Sequence, residues 1–225
     1  MQAKVYVIGS SGHAKVVIDA IEAEADYEVG GLIDDFKPAG ETALGYPVIG
    51  KLEHIAKLVQ QTESEKPVNL FIAVGDNYNR SLIADKIDAM ALKVNYIHIQ
   101  HPKASISKHA KIGPGSIIMA NASVGPETQI GTHVIINHNA SVDHECTLGH
   151  FSSVSPGAVL CGNVQLGEQS AIGAGATVIE KVVIGNNSVI GAGSVVIKAI
   201  KDNQLAIGSP ADTVKTREPG EKYLK

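Results

Sequence analysis

The sequence predicts an α/β domain of Rossmann-like topology over residues 1–100, followed by an all-β parallel β-helix built from six-residue repeats over residues 101–200. Two observations carry this prediction. Up to about Ile97, short apolar runs alternate with amphipathic stretches, which is typical of βαβ units. After Pro102, an aliphatic residue returns at every sixth position. Residues 201–225 follow this repeat, and we expect a last packed turn at "AIGSPA" and a solvated end at "REPGEKYLK".

The first domain has four predicted strands and three predicted helices. The strands are "KVYVI", "EVGGLI", "NLFIAV" and "KVNYIHI", and the helices are "HAKVVIDAIEAE", "KLEHIAKLVQQ" and "RSLIADKIDAMAL". Apolar residues three and four positions apart give each helix one buried face. Because consecutive parallel strands are joined by right-handed crossovers, these elements predict a parallel sheet.

The second domain repeats with a period of six. Every sixth residue from Ile106 to Val196 is Ile, Leu or Val, and a small residue usually follows four positions later. This pattern is typical of the hexapeptide β-helix. Each unit forms one side of a three-sided coil, so residues 18 positions apart stack, and each coil buries its aliphatic residues against the next.

Composition excludes several classes of partner and location. The net charge of −4 and the lack of a basic cluster argue against nucleic acid or an anionic membrane as a partner. The N-terminus lacks the features of a signal peptide, and no apolar run is long enough to span a bilayer, so we expect a cytoplasmic protein. Cys146 and Cys161 lack C-x-x-C spacing, and both are expected to be small core residues in a reducing compartment.

The glycine turn "GSSGH" follows the first strand and opens the first helix. Free N–H groups at a helix N-terminus suit a phosphate, although the spacing is not G-x-G-x-x-G and a plain tight turn is the alternative. Asp34 and Asp35 follow the second strand, where an acid can hydrogen-bond a ribose or a base edge.

The segment "SVDHECTLGH" places His144 and Glu145 at one corner of the repeat. A histidine near neutral pH can act as a general base, and a neighbouring carboxylate stabilises its protonated form. Asp143 is an alternative partner. His138 and His150 occupy the same hexad position as His144, so they lie on three different edges of one coil. No metal is expected, since these edges are too far apart within one subunit.

Taken together, "GSSGHAKVV", "LIDDF", "FIAVGDN" with Arg80, "DHEC" and "IGSPA" resemble the PglD/NeuD-type nucleotide-sugar acetyltransferases, especially PglD-like N-acetyltransferases. The resemblance implies a left-handed β-helix, a homotrimer with sites between subunits, and acetyl-CoA as co-substrate. It also implies N-acetylation of a UDP-4-amino-4,6-dideoxy sugar in bacterial glycan biosynthesis. A sialic acid O-acetyltransferase, a GDP-perosamine N-acetyltransferase and a non-catalytic scaffold for a biosynthetic partner are the alternatives.

The same resemblance assigns roles to individual residues. His144 is the expected general base, and Glu145 is its expected partner. The expected substrate-binding residues are Ser11, Gly12, His13, Asp34, Asp35, Gly75, Asn77 and Arg80. The expected acetyl-CoA-binding residues are Ser153, Gly162, Ala174 and Ala192. Ser153 stands where the PglD pattern has a second histidine that contacts acetyl-CoA, nine residues after the general base.

Overall fold

The computed structural model describes residues 2–62 and 66–224. Contacts divide the chain into two compact units. The first unit runs up to Gly75 and continues from Asn79 to Ile99, and the second unit comprises Asp76–Tyr78 and the chain from Gln100 onward. The sequence did not predict that Asp76–Tyr78 would belong to the second unit.

The first unit is an α/β domain with a six-stranded sheet, here called the N-terminal sheet. Its strand order is β3-β4-β2-β1-β5-β6, and all neighbours are parallel except β3 and β4. The elements are β1 (Ala3–Ile8), α1 (Gly12–Ala23), β2 (Tyr27–Ile33), β3 (Thr42–Ala43), β4 (Tyr46–Gly50), α2 (His54–Gln61), β5 (Val68–Ile72), α3 (Asn77–Ala89) and β6 (Val94–Tyr96).

The hairpin β3–β4 was not predicted from the sequence. Its turn residues Leu44 and Gly45 have φ of 48° and 83°. A leucine is unusual at such a turn, where Asn or Gly is the usual signal. Pro47 lies inside β4, and because proline is unusual within strands, it makes β4 harder to recognise from the sequence. The predicted strand "KVNYIHI" also differs, because β6 ends at Tyr96 and a separate strand begins at Ile99.

The second unit is a parallel β-helix. Its short strands are β7 (Ile99–Gln100), β8 (Ser105–Ile106), β9 (Lys111–Ile112), β10 (Ile117–Ile118), β11 (Ser123–Val124), β12 (Gln129–Ile130), β13 (Ile135–Ile136), β14 (Ser141–Val142), β15 (Thr147–Leu148), β16 (Ser153–Val154), β17 (Val159–Leu160), β18 (Gln165–Leu166), β19 (Ala171–Ile172), β20 (Thr177–Val178), β21 (Val183–Ile184), β22 (Val189–Ile190) and β23 (Val195–Val196). The antiparallel pair β24 (Gln204–Gly208) and β25 (Ala211–Thr216) completes it.

Three sheets form the walls of the coil. Coil sheet 1 has the order β25-β24-β22-β19-β16-β13-β10-β7, coil sheet 2 has β23-β20-β17-β14-β11-β8, and coil sheet 3 has β21-β18-β15-β12-β9. Parallel pairing joins residues 18 positions apart, as in Ile118 with Ile136 and Val124 with Val142. The predicted coil length is therefore confirmed.

The aliphatic residues of the repeat form the core of the coil. Every sixth residue from Ile118 to Val196 is at most 5% exposed, and Ile106 and Ile112 pack against this core at its first turn. Burying one such side chain contributes about 1.5–3 kcal/mol. The stack of similar layers thus replaces the aromatic core that this sequence lacks.

The corners of the coil use left-handed backbone. From Gly115 to Gly193 every sixth residue has φ between 51° and 71°, and most of these residues are not glycine. This conformation costs other residues on the order of 1 kcal/mol each. Backbone hydrogen bonds between coils offset the cost, for example from Glu145 N–H to the Pro126 carbonyl at 2.9 Å.

The residue just before each left-handed corner stacks into one of three columns. The His138 column contains Ala120, His138, Pro156, Ala174 and Ala192; the His144 column contains Pro126, His144, Gly162 and Glu180; and the His150 column contains Pro114, Thr132, His150, Glu168 and Asn186. Hydrogen bonds show the stacking directly, since the carbonyls of His138, Pro156 and Ala174 each accept an N–H from the coil above. The prediction that the three histidines occupy different edges is confirmed.

The outward faces of the three coil sheets differ in chemistry. Coil sheet 1 presents buried residues such as Ile117 and Ile135, and coil sheet 3 presents an exposed, mostly polar row. The outward residues of coil sheet 2 are small or β-branched, carry no charge and are mostly half-buried: Ser105, Ser123, Ser141, Val159, Thr177 and Val195. The His138 and His144 columns flank coil sheet 2 on its two sides.

The end of the chain packs more closely than expected. Arg217 is 4% exposed, and its Nη2 donates to the Glu221 carbonyl at 2.6 Å. Its guanidinium lies 5.6 Å from the centre of the Tyr223 ring. The expectation of a solvated end is therefore wrong for Arg217. Across residues 2–62 and 66–224, no helix is long and apolar enough to cross a membrane.

Candidate functional site

A cleft of about 420 Å³ opens in the first unit at the carboxyl ends of β1, β2, β4 and β5. The strand order reverses between β1 and β5, because the chain builds outward from β1 on one side before it returns to form β5 on the other. Ligands of open α/β sheets bind at such switch points. The cleft is therefore the first candidate site.

Three of the predicted substrate-binding residues line this cleft, namely Ser11, Asp34 and Asp35. Both carboxylates are held in place. Asp34 accepts hydrogen bonds from the Ser10 hydroxyl at 2.6 Å and from the Phe36 N–H at 2.9 Å. Asp35 Oδ1 accepts from the Leu52 N–H at 2.9 Å, and its second oxygen has no partner in the described part of the chain.

Gly12, His13 and Gly75 do not line the cleft themselves, although each adjoins a residue or turn that does. Gly12 begins α1, and the Ser11 side chain makes no capping hydrogen bond to this helix. The first turn of α1 therefore keeps N–H groups that could bind an anion. Gly75 follows Val74, which lines the cleft.

Asn77 and Arg80 are fully buried, with exposed fractions of 0% and 1%. The Arg80 guanidinium donates to the carbonyls of Val74 and Gly75 at 2.8 Å and 3.1 Å, so it fixes the turn after β5. Asn77 Nδ2 donates to Ser153 Oγ at 3.1 Å and to carbonyls of the coil. These contacts favour supporting roles over direct substrate contact.

The sequence reasoning missed several residues of the cleft. Phe36 lines it and is 98% exposed, which is rare for a large aromatic side chain. Lys37 and Lys86 add positive charge, and Asn79 adds an amide. One face of α3 borders the cleft with residues spaced three and four apart, namely Asn79, Leu82, Ile83 and Lys86. This spacing could have been recognised in the sequence.

A second candidate site lies in the coil at His144. The His144 Nδ1 is 2.8 Å from Glu145 Oε2, and the two side chains are 51% and 52% exposed. Because a carboxylate only accepts, Nδ1 of the neutral imidazole carries the proton, and Nε2 keeps the lone pair. The Asp143 carboxylate accepts the His144 backbone N–H at 2.8 Å instead, so Glu145 rather than Asp143 orients the imidazole.

Gly162 provides the space that the His144 ring occupies. A Cβ added at Gly162 would lie 2.4 Å from His144 Nε2. Gly162 is the next member of the His144 column, one coil above, and its own φ does not require glycine. Residue 162 is therefore glycine because the His144 ring packs over it. This packing places Nε2 against the backbone of residue 162.

The two cysteines differ in environment. Cys146 is buried and its thiol donates to the Cys161 carbonyl at 3.2 Å, as a serine would at this position. Cys161 is only half-buried, so its expected place in the core is wrong. Burial, followed by the Glu180 and Asp143 carboxylates, raises the pKa of the Cys161 thiol. The thiol next to Gly162 thus stays protonated and is a weak nucleophile.

The residues expected to bind acetyl-CoA do not meet within one chain. Gly162 lies in the His144 column, while Ala174 and Ala192 lie exposed in the His138 column, across coil sheet 2. Ser153 is 8% exposed, and its hydroxyl accepts the hydrogen bond from Asn77. A single copy therefore does not assemble this set of residues.

No group of three or more His, Cys, Asp or Glu side chains suited to a metal ion occurs in the described ranges. His150 Nδ1 accepts the Thr132 N–H at 2.9 Å and lies on its own corner. His138 occupies the remaining corner.

A Rossmann-like cleft joined to a hexapeptide coil with a carboxylate-oriented histidine defines a class of acyltransferases. The profile of the PglD N-terminal domain matches residues 4–87, and the bacterial transferase hexapeptide profile matches residues 109–144 and 163–198. The chain belongs to the PglD-type family of nucleotide-sugar N-acetyltransferases. This membership confirms the fold class, including the left-handed coil.

Solved relatives match nearly the whole chain. GDP-perosamine N-acetyltransferase from Caulobacter crescentus, in complex with CoA and GDP-perosamine, is 34% identical with a TM-score of 0.88, over 95% of this chain and 97% of that chain. The acetyltransferase domain of PglB from Neisseria gonorrhoeae, in complex with acetyl coenzyme A, is 35% identical with a TM-score of 0.83, over 95% of this chain and 100% of that chain.

A curated relative matches over a shorter region. UDP-N-acetylbacillosamine N-acetyltransferase from Bacillus subtilis is 35% identical over 121 residues. The match spans 52% of this chain and about half, 51%, of the relative.

Replacing Gly162 by alanine tests the packing of the imidazole. The added methyl group must displace the His144 ring, so Gly162→Ala should shift the His144 imidazole signals in NMR and lower acetyl transfer at least about tenfold, as misplaced catalytic groups do. Pro114→Ala, which changes the same hexad position on another corner, is the control. Unchanged His144 signals in Gly162→Ala would contradict the packing argument.

Proposed function

We propose that this chain transfers the acetyl group of acetyl-CoA to the amino group of a nucleotide-linked sugar, of the UDP-4-amino-4,6-dideoxy type. His144 is the general base and Glu145 orients it. The observation that carries the proposal is the 2.8 Å contact from His144 Nδ1 to Glu145, which in the neutral imidazole leaves the lone pair on Nε2, beside Gly162. The relatives that bind CoA, acetyl coenzyme A and GDP-perosamine support acetyl-CoA and a nucleotide-linked amino sugar as substrates, and the Bacillus relative, named for a UDP-linked sugar, supports UDP.

The reaction follows from this geometry. The sugar amine attacks the thioester carbonyl carbon, and His144 Nε2 accepts the proton that the nitrogen loses. The tetrahedral intermediate then collapses, the carbon–sulfur bond breaks, and the imidazolium returns a proton to the CoA sulfur. Glu145 stabilises the imidazolium between these steps through the hydrogen bond from Nδ1.

The oxyanion of the intermediate needs a hydrogen-bond donor. Gly162 lies against the imidazole, and its N–H donates to no group in the described part of the chain. This free donor supports Gly162 as the source of oxyanion stabilisation, in agreement with its expected place along the acetyl-CoA path.

Removing the base should abolish most of the activity. His144→Ala should lower kcat for acetylation of a UDP-4-amino-sugar by at least about a hundredfold, because general bases contribute about 10²–10⁴ in rate. The rate is measured by release of the CoA thiol, with His150→Ala as the control histidine at the same hexad position. Near-normal turnover by His144→Ala would sink the assignment.

The same assay run on a substrate panel separates the other candidates. GDP-perosamine is the second candidate substrate, since the Caulobacter relative matches over 95% of this chain. Transfer to a sialic acid hydroxyl would replace N-acetylation by O-acetylation. Binding of acetyl-CoA without turnover on any amino sugar, together with co-purification of a biosynthetic enzyme, would favour the scaffold alternative.

The cleft of the first unit is the proposed nucleotide site. The uncapped first turn of α1, with Ser11, Gly12 and His13, suits the diphosphate, and Lys37 and Lys86 add complementary charge. Asp34 and Asp35 suit hydroxyl or N–H donors of the ribose and base. Arg80 and Gly75 support the turn that borders the cleft.

Phe36 is the proposed platform for the base. Its backbone N–H is fixed by Asp34 at 2.9 Å while its ring is exposed at the cleft. Base stacking contributes about 1–3 kcal/mol, so Phe36→Ala should weaken binding of UDP and UDP-sugars about tenfold by calorimetry. Leu44→Ala removes another exposed apolar side chain outside the cleft and should change nothing. Equal affinity of Phe36→Ala and the parent protein would contradict the platform.

The proposed assembly is a homotrimer with sites between subunits. Coil sheet 2 presents an uncharged, flat face suited to contact with neighbouring copies, and both functional columns flank it. Gly162 of one copy and the Ala174–Ala192 pair of the next can then border one acetyl-CoA path. We place this assembly in the cytoplasm, a reducing compartment in which the thiols of Cys146 and Cys161 would stay reduced.

Hybrid trimers test the shared site. His144→Ala keeps an intact His138 column, and Ala174→Trp keeps an intact base but blocks that column. Each variant alone should be nearly inactive. After co-expression, each hybrid trimer contains one site at which an intact base faces an intact His138 column. Roughly three quarters of the trimers in a random mixture are hybrids with one active site of three, so roughly a quarter of parental activity should return. Without recovery in mixtures that size-exclusion and mass measurements show to be hybrid, the site would belong to one chain.

A further inference from the structure

His138 lies on the same coil as His144, six residues earlier, at the opposite side of coil sheet 2. Its side chain is half-buried. The other members of its column, Ala120, Pro156, Ala174 and Ala192, carry side chains that form no hydrogen bonds. His138 is thus the only side chain in this column that can recognise a polar group.

Asn137 fixes the tautomer of the neutral His138 ring. The Asn137 Oδ1 accepts the His138 backbone N–H at 2.8 Å, which identifies this atom as the carbonyl oxygen of the amide. The same oxygen lies 2.9 Å from His138 Nδ1, so Nδ1 must donate to it. In the neutral ring Nε2 therefore carries the lone pair, and no hydrogen bond to it is found in residues 2–62 and 66–224.

The column itself has the length of an extended cofactor arm. From Ala192 through Ala174 and Pro156 to His138 the chain makes three coil steps, or about 14 Å at the usual strand spacing. This is comparable to the pantetheine arm of CoA. An arm that follows the small residues from Ala192 ends at His138, on the coil level where His144 acts.

At this end of the column, Ser153 does not supply the contact to acetyl-CoA that the resemblance implies for its position. Its hydroxyl is buried and accepts a hydrogen bond from the Asn77 amide, so it faces the protein and not a ligand. His138 follows β13, which pairs directly with the strand β16 that holds Ser153. A histidine on the neighbouring strand end thus lies close to the position where the resemblance expects one.

We propose that His138 is an acetyl-CoA-binding residue whose Nε2 accepts a hydrogen bond from the cysteamine amide N–H next to the thioester. It acts at the His144 site of the adjacent copy. This inference rests on the proposed function, since it assumes that acetyl-CoA follows the His138 column. The contact holds the acetyl group at the level of the base without taking part in proton transfer.

Substitution of His138 by alanine and by glutamine tests the contact. Alanine occurs at this hexad position at Ala174 and Ala192, so His138→Ala is expected to fold. We expect His138→Ala to raise KM for acetyl-CoA about tenfold, as loss of one acceptor costs about 1–1.5 kcal/mol. kcat and KM for the amino sugar should stay within about threefold. His138→Gln should recover part of the loss, because its Oε1 can also accept.

His150→Ala is the matched control, because His150 occupies the same hexad position two hexads further on and its Nδ1 is engaged by Thr132. Calorimetric titration with CoA, which carries the same amide, tests His138→Ala without any turnover. An unchanged CoA affinity, or equal losses in His138→Ala and His150→Ala, would overturn the inference. A parent protein that binds CoA but acetylates no amino sugar would instead refute the proposed function alone.

Discussion

The parallel pairing of residues 18 positions apart is the constraint on which the coil depends. Each two-residue strand has too few hydrogen bonds to be stable alone, so it persists only because a strand lies above and below it. The pairing also aligns the buried aliphatic residues into layers and the corners into columns. Chemistry is thereby confined to outward corner positions, where a side chain can change without disturbing the layers.

The two candidate sites are positioned by different kinds of interaction. The His144 imidazole is held through a carboxylate on the adjacent corner residue, and Glu145 itself adopts left-handed backbone with φ of 56°. The strained corner is stabilised by the hydrogen bond from its N–H to the coil below. The hydrogen bonds between coils that stabilise the fold therefore also orient the base. The residues of the cleft in the first unit are positioned instead by turns at the ends of strands.

Much of the fold followed from the sequence because periodicity is a local signal that many residues repeat. The coil length, the core residues and the three edges for His138, His144 and His150 came from counting alone. The hairpin at Leu44 and Gly45 did not, since its turn lacks the usual residues. The candidate site was predictable where one motif contains both partners, as in His144–Glu145. Phe36 was missed because its place in the cleft depends on how distant segments meet. The helical spacing of Lys86 with Asn79 indicates a shared face, but not that this face borders the cleft. The burial of Ser153 against Asn77 likewise depends on a contact between residues 76 positions apart.

The spacing of 18 has a consequence for how such chains can vary in length. A hexad inserted between two functional corners would rotate everything beyond it by one edge, and would move Gly162 away from the His144 column. Only the gain or loss of a full coil keeps later corners aligned with earlier ones. Insertions that preserve function should therefore occur in steps of three hexads within the coil, whereas single residues can be added only as loops that leave it and return to the same corner.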